Sequence, residues 1–168
     1  TVLGFYLLIA FGRGSAPGRW FESAFGQTLA FSFEGLLLAS ILINIPFMVQ
    51  PVQRSFEAIP RDIREAAACC GMSRRTIFTR VELPLAWPGI MTGLVLAFAH
   101  TIGEFGVVLM VGGAIPGETK TIAISIYDRV QAFDYQAAAV MAATLLAITL
   151  VALGVTNTLV RRIGRHND

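Results

Sequence analysis

Three long runs without Asp, Glu, Lys or Arg divide the chain: Gly35 to Gln53, Leu83 to Gly103 and Tyr135 to Val160. Each is about as long as, or longer than, the roughly 20 residues a helix needs to cross the hydrocarbon of a bilayer. Thr1 to Gly12 is also apolar and charge-free but only about half that length. The pattern predicts an all-α, polytopic integral membrane helical bundle. Its spans fall at about residues 1–12, 32–53, 84–112 and 134–160, with a polar loop at about 57–82. Lacking an initiator Met, the chain reads as N-terminally truncated, beginning inside a helix.

Composition narrows the class. With 55% hydrophobic and 14% charged residues and a mean hydropathy of +0.66, the chain is too apolar for a soluble domain of 168 residues. Lipid is therefore the expected solvent. Lys and Arg near span ends are retained on the cytoplasmic side, so Arg54, Arg61, Arg64, Arg74, Arg75 and Arg80 place the loop inside. Arg161, Arg162 and Arg165 place the tail there too. The Gly- and Pro-marked stretch from Val111 to Asp134 then becomes an outer connection, and Arg13 to Glu34 also lies outside. A net charge of +2 follows from this topology and gives no support to nucleic-acid binding.

The loop reads as helix, turn, helix. Pro60 suits a first helical turn, Asp62 complements the helix dipole, and Arg61 to Cys70 contains no strong breaker. Gly71 can end that helix in the left-handed conformation, and Ser73 can cap a second one through about Phe78. Leu83-Pro84 with Pro88 marks entry into the next span. Ile59, Ile63, Ala66 and Cys70 form a narrow apolar stripe, and Ala66-Ala67-Ala68 leaves a low profile for another backbone to approach. Periodicity alone is equally compatible with an ordinary solvated loop.

Glu65-Ala66-Ala67, then Gly71, Val81 and Leu83-Pro84 at these spacings resemble the EAA loop of membrane subunits of bacterial ABC importers, with Val81 replacing the usual Ile. The resemblance implies a coupling helix that docks in a groove of an ATP-hydrolysing subunit. Glu65, Ala66, Ala67 and Gly71 would shape it, Met72 and Ser73 would lie at its contact tip, and Arg64, Arg74 and Arg75 would form a salt-bridging rim. Exposed arginines are also commonly just solvated, since such pairs contribute only about 0.2 to 1 kcal/mol. Gly103-Glu104-Phe105-Gly106, Ile115-Pro116-Gly117-Glu118-Thr119, Thr121-Ile122 and Ile126-Tyr127 further resemble molybdate permease subunits. The first of these elements is shared with sulfate permeases, whereas Pro-Gly-Glu-Thr followed by Ile-Tyr favours molybdate or tungstate. The likeness implies a homodimer in the bacterial inner membrane, two ATPase subunits that carry ATP and Mg, and a periplasmic binding protein.

Polar residues within the spans have two readings each. His100 and Glu104 share a helix face and either line or gate a pathway, or pair with each other. Glu104 lies roughly 25 Å beyond Trp87, toward the outer interface, and a carboxylate would repel an anion, so it is not expected to be a ligand. Ser40 and Asn44, followed by Pro46, either offer neutral donors to an oxyanion or hydrogen-bond between helices. Gly93, Ala97 and the alanines from Ala137 to Ala147 are small residues suited to close helix packing. No phosphate-binding Gly-rich loop, His-Glu-x-x-His or Cys-x-x-Cys occurs, and only His100 and His166 supply imidazole. Cys69 and Cys70 are adjacent and point to different helix faces. The expectation is a transport subunit without catalytic residues, metal or cofactor of its own. A sulfate or thiosulfate permease is the near alternative, and a membrane anchor for a soluble partner the distant one.

Overall fold

The computed structural model describes residues 2–164 and contains helices and turns without strands among them. Arg165 and His166, with the side chains of Arg161 and Arg162, lie outside the described residues. The helices are α1 (Val2–Phe11), α2 (Ala16–Phe25), α3 (Phe33–Glu57), α4 (Arg61–Cys69), α5 (Arg74–Ile77), α6 (Leu83–Gly103), α7 (Gly106–Gly112), α8 (Ile122–Gln131) and α9 (Tyr135–Gly164). A π-helical turn, Phe78–Glu82, joins α5 to α6. Three of these helical stretches are long and apolar enough to cross a membrane: Phe33–Glu57, Arg74–Gly103 and Tyr135–Thr156. Only 6% of the most apolar window of the last is buried, so its surface is available to lipid or to other helices.

The chain divides into two compact units, Thr1–Asn44 with His100–Leu150 and Ile45–Ala99 with Val151–Asp168. The first is built around Leu7, Phe11, Leu29, Ala30, Ala39, Ile43, Val107 and Val111, which bring α1, α3 and α7 together. Beside them Leu36, Val108 and Ile124 tie in α8, with Phe105 and Ala114 packed against them. In the second unit α3 and α6 meet across small residues. A Cβ on Gly89 would lie 2.2 Å from Ser55 Cβ and 2.8 Å from the Pro51 carbonyl oxygen, and one on Gly93 would lie 2.8 Å from Met48 Sδ. Ser55 Oγ also donates to the Ala86 carbonyl at 3.2 Å.

Several elements differ from the sequence reading. The polar stretch from Arg13 to Glu34 contains α2, started by Ser15, whose hydroxyl accepts from Gly18 N at 2.9 Å, and ended by Gly26 at φ 73°. The outer connection contains α8, begun by Thr121, whose hydroxyl accepts from Ile124 N. The run read as one span over 84–112 is two helices, because the chain leaves helical geometry between Gly103 and Gly106. Finally, Leu83-Pro84 does not begin a separate helix. The helix that Ser73 starts continues through the π turn into α6. An α-helix would require Pro84 to donate to the Arg80 carbonyl, and its ring would crowd that oxygen. The π turn widens the helix just before it, with Leu83 N–H bonded to Phe78 O, five residues back.

Candidate coupling site and polar span residues

The sequence between the first and second long runs folds as a short helix, a tight reversal and a new helix. Helix α4 follows Pro60, carries Asp62 in its first turn, and ends through Gly71 at φ 76°. Gly71 N–H bonds to Ala68 O at 2.9 Å and Met72 N–H to Ala67 O at 3.3 Å. These two bonds form a Schellman motif, which satisfies the terminal carbonyls and needs a residue free of Cβ strain at position 71. Ser73 then starts α5 by accepting from Thr76 N at 3.3 Å.

Of the narrow apolar stripe, only Ile59, just before α4, is covered by the chain. Ile59 and Ala67 are buried, whereas Ile63, Ala66 and Cys70 face outward. Glu65, Ala66, Gly71, Met72, Ser73, Arg74 and Arg75 are exposed as well. The alanine step with its glycine reversal thus forms a low surface with Ala67 as its anchor. Arg64, expected on the rim, turns inward: its Nε lies 2.5 Å from Glu82 Oε1, and its terminal nitrogen donates to Phe56 O at 2.8 Å. Phe56 and Phe78 stack nearly parallel beside it, ring centres 5.9 Å apart. Sequence reasoning missed these partners, although Glu82 is the only acid between Glu65 and Glu104. Leu83 is half-buried and Pro84 exposed at the start of α6.

In the first unit, Asn44 Nδ2 donates to Ser40 O at 2.7 Å and to Thr101 Oγ1 at 2.8 Å. Both amide hydrogens are therefore engaged, and none remains for a passing oxyanion in this arrangement. The remaining Asn44 Oδ1 is a buried acceptor, unsuited to an anion. Glu104 Oε1 accepts from Val107 N at 3.0 Å, capping α7, while its other oxygen stands 3.7 Å from His100 Nε2. The residues that suggested an oxyanion importer also build local structure. Phe105 packs on Tyr127, ring centres 4.8 Å apart, and the buried Thr119 hydroxyl donates to Gly112 O and accepts from Ile115 N. The Pro116-Gly117-Glu118-Thr119 element is thus a fastened turn.

Nine of the chain's 13 Lys and Arg fall in the second unit, against five of its 11 acids, so the cationic excess and the α4 surface share one unit.

Three bilayer-length helices with a basic helix-turn-helix between two of them define a multi-pass membrane protein. The chain belongs to the family of binding-protein-dependent transport system inner membrane components, which matches residues 1–165. It is 43% identical over 153 residues to the molybdenum transport system permease protein ModB of Azotobacter vinelandii, covering 91% of this chain and 68% of that protein. It is 38% identical over 131 residues to the ModB protein of Escherichia coli K12, covering 78% and 57%. The sulfate transport system permease protein CysT of Escherichia coli K12 matches at 34% over 166 residues, covering 99% and 60%. The chain thus spans 57% to 68% of the length of these relatives. It is a multi-pass protein of the inner membrane.

Proposed function

We propose that this chain is the membrane-spanning part of an ATP-driven importer for molybdate or tungstate. It works as a homodimer, with two ATPase subunits on the cytoplasmic side carrying ATP and Mg, and a periplasmic binding protein delivering the anion. The observation that carries the reading is the exposed Glu65-Ala66 to Met72-Ser73 surface, held in shape by the Gly71 reversal. The cationic excess of the unit that bears it supports a cytoplasmic position. The substrate class is supported by the relatives named for molybdenum, at higher identity than those named for sulfate.

In this reading ATP draws the ATPases together and the two α4 helices follow. The dimer opens outward to receive the anion, and hydrolysis resets it. ATP is bound on the partner chains. The side chains of Asn44 and Glu104 serve first as an interhelical and a capping group, with Ser40 accepting through its backbone carbonyl and His100 standing beside Glu104. Any part they take in gating runs through those same bonds.

Gly71→Arg tests the coupling. It forces a side chain into the left-handed region and places it on the docking surface. The variant is expected to reach the membrane and to leave ATP hydrolysis uncoupled from uptake; unchanged molybdate uptake defeats the proposal. A sulfate importer is the second reading, favoured by a match that covers 99% of the chain. Excess sulfate that competes away labelled molybdate uptake would select it.

A further inference from the structure

Arg64 joins three separate segments of the second unit. It sits on α4, reaches Glu82 in the π turn, and donates to Phe56 O in the last turn of α3. The pair is partly shielded, with side-chain exposures of 36% for Arg64 and 19% for Glu82. The Phe56–Phe78 stack joins the end of α3 to the same π turn. A planar guanidinium has several donors in a fixed fork, so it can hold a carboxylate and a carbonyl at once, which an ammonium on a flexible stem does poorly.

We infer that Arg64 is a positioning residue that makes α4 and the adjoining ends of α3 and α6 move as one body. The inference rests on the proposed role of α4 as the docking helix. Without the brace, α4 is held by the burial of Ile59 and Ala67 and by its two connections. A push from a partner would then rock a nine-residue helix in place instead of displacing the spans. The π turn belongs to the same device, since Glu82 lies within it.

The test is a double-mutant cycle in the assembled transporter in proteoliposomes, using Arg64→Ala, Glu82→Ala and the double variant, with Arg64→Lys as the conservative control. Two quantities are read: molybdate moved per ATP hydrolysed with loaded binding protein, and hydrogen exchange of the α4 amides in the same complex. Each single is expected to lower the transport ratio and to open α4 exchange, Glu82→Ala by about tenfold for one charge-assisted hydrogen bond and Arg64→Ala by more, since it also loses the Phe56 carbonyl. The double variant should be no worse than Arg64→Ala alone, because the Glu82 bond is already lost in that single. Lysine should fall between. A rim contact with the ATPase predicts instead that the losses multiply to about a hundredfold, which overturns the inference, as does a wild-type ratio in either single. If the wild-type complex moves no molybdate but the α4 exchange follows the non-additive pattern, the brace stands and the substrate assignment falls.

Discussion

At Gly89 the spacing of α3 and α6 is set by the absence of an atom. A methyl group there would meet both the Ser55 side chain and the Pro51 backbone, and backbone cannot swing aside. Gly89→Ala should therefore destabilise the protein by about 1 to 3 kcal/mol, as overpacking does, and lower its thermal midpoint in detergent. Gly154→Ala, with nothing near its Cβ, is the matched control and should be neutral or slightly stabilising. The sequence pointed to Gly93 as a packing residue and passed over Gly89, because what makes Gly89 necessary lies on a different helix. Gly71 and Ser73 were legible for the opposite reason. A left-handed turn and a hydroxyl cap are local events, settled within three or four residues. The partner of Arg64 lies 18 residues away and enters reach only through the fold. Asn44 was legible as a polar span residue, yet only the structure shows its two donors already engaged.

Elements show the same division. Long charge-free runs gave the three bilayer-length helices, because lipid imposes a length that any sequence must meet. The shorter helices α2 and α8 were hidden by the charges around them, although Ser15, Pro17 and Gly26 are ordinary start and stop signals. The break after Gly103 was hidden by apolar residues on both sides, and it takes the Glu104 carboxylate on Val107 N to restart the chain as α7. The π turn had no direct sequence signal beyond Pro84. Its cause suggests a test: Pro84→Ala removes the need for the wide turn and should let the helix relax to α geometry. Local helix stability should rise, by up to about 3 kcal/mol on peptide scales. Glu82 would rotate out of line with Arg64. The expected outcome is a protein of equal or higher thermal midpoint whose anion transport per ATP falls; a midpoint and transport ratio both like wild type would refute the link.

For the whole molecule, the uneven distribution of cations is a claim about sidedness. Cys69 and Cys70 are exposed in the unit that holds the excess. In spheroplasts, a membrane-impermeant maleimide should leave both untouched, while a cysteine introduced at the exposed Gly117 turn should react. In inverted vesicles the pattern should reverse, and added ATPase subunit should shield Cys69 and Cys70. Labelling of Cys69 and Cys70 in intact spheroplasts would overturn the orientation. One consequence concerns genetics. On the proposed reading, the arginines between Arg54 and Arg80 adjoin the docking surface and also carry the signal that inserts the chain the right way round. A screen for docking mutants will therefore recover few of them: alleles that lose several will be misinserted and degraded before any ATPase meets them. Suppressors that restore an uncoupled transporter should instead cluster on the partner's groove or at small residues such as Ala66 and Ala67, which carry no topological information.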